Sequence, residues 1–564
     1  MITINCLLDI FMNESTYLHD LVSVAAQRSP LDIALIHGDL SLTYQDLNSR
    51  IAAFSSALLS CGLNRGERVG IYLDKCFETV ISCFGAATAG CVFVPINPLL
   101  KPDQVAYLMR DCNIRILVTT QERHLSLGSV LERCLDLFQM VIVGPTVGAE
   151  PTEIRKSCGY RVIPWREWCE GPTLLGHRVM DTDMVAILYT SGSTGQPKGV
   201  VLAHRNMVVG AKSVASYLEN RASDRLLAVL PLSFDAGFSQ LTTAFHTGAA
   251  VVLLNYLMPR DVLNILCKER ITGLTAVPPL FIQLAALEWP PEISTHLRYF
   301  ANTGGRMPLE VLTSLRQHLP KTQAFLMYGL TESFRSTFLP PTEIDRRPDS
   351  IGRAIPNVEI GVLRDDGTAC GANEPGELVH RGPLVSLGYW NDRSKTAERF
   401  KLLPDNFPGR TSGLPLPEYA VYSGDTVRQD AEGFLYFIGR KDEMMKVSGY
   451  RISPNEVEEI LYATKMVGEC VAFAVTHQVY GSAIHVIAAQ AHQMGSSTEN
   501  DLKKECRLRM PSYMVPTRIH WVKGPLARNQ NGKIDRKQLI AAWHEQRCLN
   551  SDTSFDPHFS EASL

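Results

Sequence analysis

The segment MVAILYTSGSTGQPKGVVLAHRNM (184–207) contains the densest group of chemically capable residues in the chain. An apolar run leads into Thr190, Ser191, Gly192, Ser193, Thr194 and Gly195, and Pro197, Lys198 and Gly199 follow. Glycines let backbone N–H groups turn inward onto an anion, while hydroxyls and one lysine add donors and positive charge. A triphosphate needs such a cradle. The spacing is not the Walker form, because Lys198 lies three residues beyond the second glycine and precedes Gly199. A Ser/Gly-rich surface loop would read the same way if this segment stood alone. Further candidates are Glu332 in YGLTES, Asp425 in YSGDT and Lys533 in NGKIDRK. Each has an ordinary structural alternative: a helix-capping acid, a turn former and a solvated run of charge, respectively.

Residues this far apart must be brought together by a large scaffold. At 564 residues the chain exceeds what one core serves, so two or more domains are expected. Strand-like runs such as RVGIYL (68–73), CVFVPI (91–96), RILVTT, MVIVG, MVAILYT, RLLAVLPL, AAVVLL and GLTAVP alternate with amphipathic helical runs. That rhythm predicts layered α/β subdomains with largely parallel sheets. From about residue 355 short strands separated by DDG, NEPG and DAEG predict a small β-rich subdomain of hairpins. After GRKDEMM an α+β segment is expected, with the helix PNEVEEILYA and the strands ECVAFAV and AIHVIAAQA. The expected division is 18–440 and 441–543, with flexible tails at 1–17 and 544–564.

Composition narrows the function classes. A net charge of -3 gives no bulk electrostatic support for nucleic-acid binding. The 14 cysteines are scattered singly, without CxxC spacing, which argues against a zinc or thioredoxin-like site and for a reducing compartment. No signal peptide and no membrane span are read, so a cytoplasmic location is expected.

YTSGSTGQPKG resembles the phosphate-loop signature of the AMP-forming adenylating superfamily, which comprises acyl-CoA synthetases, adenylation domains of nonribosomal peptide synthetases and luciferases. LTYQDLN (42–48), GCVFVPINP (90–98), YGLTES (328–333), YSGDTVRQDAEGFLYFIGRKDEMMKVSGYRISPNEVE (422–458) and NQNGKIDRKQL (529–539) resemble its other motifs, in the family's order. The resemblance implies ATP and Mg²⁺ as cofactors. It implies that Thr331 contacts the α-phosphate, that Glu332 helps hold Mg²⁺ and that Tyr328 stacks near adenine. It places Gly304 in the nucleotide site and implies that Asp425, assisted by Arg440, binds the ribose. Asp442 would be the hinge of a mobile C-terminal domain, the glycines around SGYRISP (448–454) would line its thiolation face, and Lys533 would reach the carboxylate and α-phosphate during adenylation.

The implied activity is activation of a carboxylic acid as an acyl adenylate, then transfer to a thiol. Asp235 in PLSFDAG stands where amino-acid-activating relatives pair an Asp with the substrate ammonium; the alternative is an Asp capping the following helix. Lining up the motifs adds Ser239, Ala276, Ala301, Thr303, Met327, Arg335 and Ser336 to the pocket. Arg335 either clamps a second carboxylate or pairs with Glu332 or a loop acid, pointing away from the substrate. Two acceptors stay open: the phosphopantetheine of a separate carrier protein, expected because only a short tail follows Lys537, or free CoA. A non-catalytic nucleotide-binding scaffold is a third reading, disfavoured by the presence of Lys533.

Overall fold

The computed structural model describes residues 14–144, 159–190, 197–411, 413, 416–441, 443, 445–447, 450–477, 481–490, 498–510, 512–529 and 532–550. The chain divides into two compact units, Met1–Phe437 and Ile438–Leu564.

Among the described residues of the first unit, one sheet has seven strands, in spatial order Arg161–Pro164, Gln139–Val143, Ile114–Thr120, Arg68–Tyr72, Val92–Pro95, Met184–Thr190 and Lys198–Ala203. All its pairings are parallel except the last. That antiparallel hairpin sets Thr190 directly opposite Lys198. A second sheet has nine strands, and its parallel interior runs Gln323–Tyr328, Tyr299–Asn302, Gly273–Ala276, Arg225–Ala228, Ala250–Leu253, Ile33–His37. Parallel strands need crossover helices. The helices Tyr44–Ser60, Phe77–Ala89, His204–Tyr217 and Asp235–Thr247 share one core with side chains of both sheets, including Phe54, Phe84, Phe238, Phe245, Val69 and Tyr299. Both sheets are thus buried on at least one face, which is why their strands read as near-continuous apolar runs.

A third sheet has five strands: Glu359–Leu363, Gly376–Arg381, Tyr419–Gln429, Phe400–Leu402 and Leu435–Arg440. Its antiparallel pairings are those expected of hairpins. The division between the units falls within its last strand.

In the second unit a ribbon of Met445–Val447 and Tyr450–Ile452 precedes the helix Pro454–Ala463. Ser453 caps that helix and Pro454 opens it, the arrangement the SPNEVEE sequence predicts. Three strands, Val467–His477, Gly481–Gln490 and Arg518–Val522, pack with the helices Pro454–Ala463 and Glu499–Arg509 over one core. A final helix spans Arg536–Asn550, past the point where a flexible tail was expected. It continues because Trp543 packs edge-on against Phe473 and His485, extending an apolar face begun by Leu539 and Ile540. Residues 1–13 and 551–564, parts of the expected tails, lie outside the described residues.

Candidate active site

The carboxyl ends of parallel strands are where open α/β sheets form ligand crevices. Register puts Ala276 beside Asn302, and Asn302 beside Leu326, so the ends of three neighbouring strands lie level. Thr303, Gly304 and Tyr328 therefore leave the nine-stranded sheet on one edge. Gly304 has φ +76°, which turns the loop, and the Asn302 side chain closes it by donating to the Gly305 carbonyl at 2.8 Å.

Thr331 and Glu332 follow in a short turn, Thr331–Ser333, with Thr331 buried and Glu332 half-buried. The segment around Tyr389 lies alongside Lys198–Ala203: the Trp390 N–H donates to the Gly199 carbonyl at 2.7 Å, and the Val201 N–H to the Gly388 carbonyl at 2.9 Å. Tyr389 consequently stands between two expected site residues. Its hydroxyl donates to Glu332 Oε1 at 2.5 Å, and Lys198 Nζ lies 5.3 Å from its ring centroid. Partial burial, and then the nearby cations Lys395 and Arg399, hold the Lys198 pKa below the ordinary lysine value. Three cations thus gather where a polyanion would be bound. Lys395 and Arg399 lie in the SKTAERF segment and Tyr389 in GYW; sequence reasoning passed over all three, although their motif was readable.

Asp425 is buried in the five-stranded sheet and meets Tyr328, 97 residues earlier, whose hydroxyl donates to Asp425 Oδ2 at 2.5 Å. Its backbone is fixed by Ser423, whose hydroxyl donates to the Leu378 carbonyl at 2.7 Å and accepts from the Asp425 N–H at 3.1 Å. The structure thereby joins Tyr328, Thr331, Glu332, Lys198, Thr190 and Asp425 within one unit. Ser191, Gly192, Ser193, Thr194 and Gly195 lie outside the described residues.

Arg335 is the principal surprise. It pairs with Asp235, Nη1 to Oδ2 at 3.4 Å, with both side chains 4% exposed. The expected alternatives of a bond to Glu332 or to a loop acid are corrected by this pairing. The reason is local backbone geometry: Phe334 adopts φ +56°, an uncommon conformation for a bulky residue. Its ring is buried against the helix His204–Tyr217 where Gly210 leaves room; a Cβ there would lie 2.4 Å from the ring. That reversal turns Arg335 back into the fold. Asp235 is the first residue of the helix Asp235–Thr247; the cap position belongs to Phe234, which makes no side-chain cap, so the capping alternative is also corrected.

Beside Arg335 lies a cavity of about 20 Å³ whose lining includes Ser239, Gln240, Thr243, Thr275 and Met327. Ser239, Met327 and Arg335 are among its lining residues. Ala276, Ala301 and Thr303 are buried at the strand ends nearby but do not line it, and Ser336 is buried against His380.

Arg440 and Lys533 belong to the second unit, and Asp442, like Ser448 and Gly449, lies outside the described residues. Lys533 is exposed on a tight loop. Its N–H donates to Asn529 Oδ1 at 3.0 Å and its carbonyl accepts from the Asn529 N–H at 2.7 Å. The loop is anchored on either side. Arg528 pairs with Glu469. Arg536 forms a bidentate pair with buried Glu458, at 2.6 and 2.9 Å.

Two family models match the chain, one described as AMP-binding enzyme over residues 22–390 and one as AMP-binding enzyme C-terminal domain over residues 456–533. An L-proline--[L-prolyl-carrier protein] ligase of Pseudomonas fluorescens is 29% identical over 93% of this chain and 98% of that protein. Gramicidin S synthase 2 of Brevibacillus brevis is 28% identical over 91% of this chain, which spans only 11% of that protein. Among solved structures, the anthranilate CoA ligase AuaEII in complex with anthranoyl-AMP superposes with a TM-score of 0.82 and 25% identity, over 94% of this chain and 98% of that one. ATP-bound MatB from Rhodopseudomonas palustris shares the fold, with a TM-score of 0.80 at 20% identity over 94% of this chain and all of that one (100%).

Proposed function

The chain belongs to the AMP-binding enzyme family, and from that premise we propose that it activates an amino acid with ATP and passes the aminoacyl group to the phosphopantetheine thiol of a separate carrier protein. The observation that carries this reading is the convergence of Lys198, the Tyr389–Glu332 contact and the Tyr328–Asp425 contact within the unit that also buries Asp235.

A carboxylate is a poor electrophile because its leaving group would be oxide. In the first step a carboxylate oxygen attacks the α-phosphorus of ATP, the bond to the β-phosphate bridging oxygen breaks, and pyrophosphate leaves. In the second, a thiolate sulfur attacks the acyl carbon, AMP departs with the electron pair of the cleaved C–O bond, and a thioester remains. Neither step requires a protein nucleophile; positioning and charge neutralisation do the work. Lys198 and Lys533 supply positive charge, and Thr190 and Thr331 supply hydroxyl donors. Asp425 binds the ribose with help from Arg440, and Tyr328 lies against the adenine. Glu332 fits Mg²⁺, which takes one or two carboxylates plus substrate phosphates, and the Tyr389 hydroxyl holds its Oε1. When bound, that ion neutralises polyphosphate charge. Asp442 serves as the hinge between adenylation and thiolation.

One observation favours a second reading, an acyl-CoA synthetase using free CoA: Asp235 already has a cationic partner in Arg335, so it does not require an ammonium group. The discriminating experiment is ATP–pyrophosphate exchange across amino acids and simple carboxylic acids, followed by thioester formation with holo-carrier proteins or CoA. Exchange with an amino acid and loading of a carrier are expected. Exchange confined to acids without an amino group, with CoA as acceptor, would put the second reading first.

A further inference from the structure

We propose that the acid is an amino dicarboxylic acid, its ammonium taken by Asp235 and its second carboxylate by Arg335. This rests on the amino-acid reading above and names the class of amino acid.

The Asp235–Arg335 pair is buried, and its guanidinium is incompletely satisfied. Arg335 Nη1 meets Asp235 Oδ2 at 3.4 Å and also donates to the Phe334 carbonyl at 3.2 Å. Arg335 Nε is buried without a hydrogen-bond partner, in a side chain only 4% exposed. A buried guanidinium edge lacking an acceptor is costly, and its fork geometry matches a carboxylate. The neighbouring cavity is polar as well: Gln240 Oε1 and Thr243 Oγ1, both from cavity-lining residues, are buried without partners. At about 20 Å³ it suits the end of a short side chain.

Charge balance decides the class. Adenylation consumes the charge of the reacting carboxylate, so the pocket must then neutralise whatever else the acid carries. Asp235 and Arg335 already cancel. An amino acid with a neutral side chain would add one unmatched cation, and a dicarboxylic acid without an amine would add one unmatched anion. A neutral acid keeps the balance but leaves Arg335 Nε without an acceptor. An amino dicarboxylic acid brings one charge of each sign, keeping the balance, and its second carboxylate gives Arg335 Nε an acceptor.

The test is ATP–pyrophosphate exchange by the full chain with aspartate and glutamate, against 2-aminobutyrate, succinate and butyrate as matched acids. Aspartate or glutamate is expected to exceed the other three by at least about 100-fold in kcat/KM, because a site built around buried polar groups rejects analogues that leave them unpaired. In Arg335→Met the preferred acid should lose about 30-fold or more while 2-aminobutyrate gains, since the charge that Arg335 set against Asp235 is gone and a substrate ammonium restores the balance. If that variant fails to fold by circular dichroism, the ranking by the unaltered protein is the test. Equal or better exchange with 2-aminobutyrate, succinate or butyrate overturns the proposal. Exchange only with an acid outside this series also overturns it, while leaving the adenylating activity standing. Silence with every acid despite ATP binding overturns the activity itself.

Discussion

Glu332 has its Oε1 tied to the Tyr389 hydroxyl at 2.5 Å, so the Mg²⁺ contact proposed for this carboxylate falls to Oε2. A hydrogen bond to a charged group contributes about 1.5–3 kcal/mol. Tyr389→Phe is therefore expected to lower the adenylation rate by about tenfold or more, with a raised Mg²⁺ requirement, measured by pyrophosphate exchange over a Mg²⁺ titration. An unchanged Mg²⁺ dependence would remove Tyr389 from this role. Lys533 carries a sharper expectation. Lys533→Ala should lower exchange by about 100-fold while leaving ATP binding nearly intact, because the role proposed for its charge is to stabilise the transition state more than the ground state. The candidate residues could be named from the sequence because YTSGSTGQPKG, YGLTES, YSGDT and NGKIDR resemble the adenylating superfamily's motifs in order. The Asp235–Arg335 pair could not. It joins positions 100 residues apart, and it depends on a left-handed backbone at Phe334 that no periodicity announces.

Elements explain how such a pair is held. The helix His204–Tyr217 offers Gly210 to the Phe334 ring, and a methyl group there would meet ring carbons at 2.4 and 2.6 Å. Gly210→Ala should cost about 1–3 kcal/mol of stability through overpacking and should reduce activity at least in proportion, checked by denaturant titration beside exchange assays. The strand Gly376–Arg381 carries His380, fully buried, whose Nδ1 lies 3.1 Å from the Ser336 hydroxyl. Burial pushes its pKa down from 6.5 to about 3. Below pH 6.5 the unfolded chain binds a proton that the folded chain refuses, so stability falls with pH through that window down to about 3. The loss is about 1.4 kcal/mol per pH unit for this one group. Thermal melts between pH 7 and 5 should show a steeper decline for the unaltered protein than for His380→Leu. Parallel slopes would mean that His380 is protonated in the folded state. Strand runs were readable because apolar sequences rich in Val, Ile and Leu fit two-faced burial. The run RLLAVLPL overstated its strand, which ends at Ala228 where the chain turns toward Asp235.

For the whole molecule, alternating strands and helices implied the layered α/β architecture, and the change of rhythm near residue 355 foretold the five-stranded sheet. The C-terminal helix runs on through 544–550, where a flexible tail was expected because that polar stretch shows no apolar spacing of its own. The two units hold different parts of the proposed chemistry. The first has Lys198, Glu332, Asp425 and Asp235, and the second has Lys533 on a loop braced by Arg528–Glu469 and Arg536–Glu458. Everything proposed for the assembled protein depends on a carboxylate oxygen becoming bonded to the α-phosphorus of ATP. That bond is followed by supplying the acid with ¹⁸O in its carboxylate and tracing the label by mass spectrometry after thioester formation. One ¹⁸O in AMP and none in pyrophosphate is expected. Label in inorganic phosphate or pyrophosphate, or turnover that leaves AMP unlabelled, would contradict the adenylation chemistry.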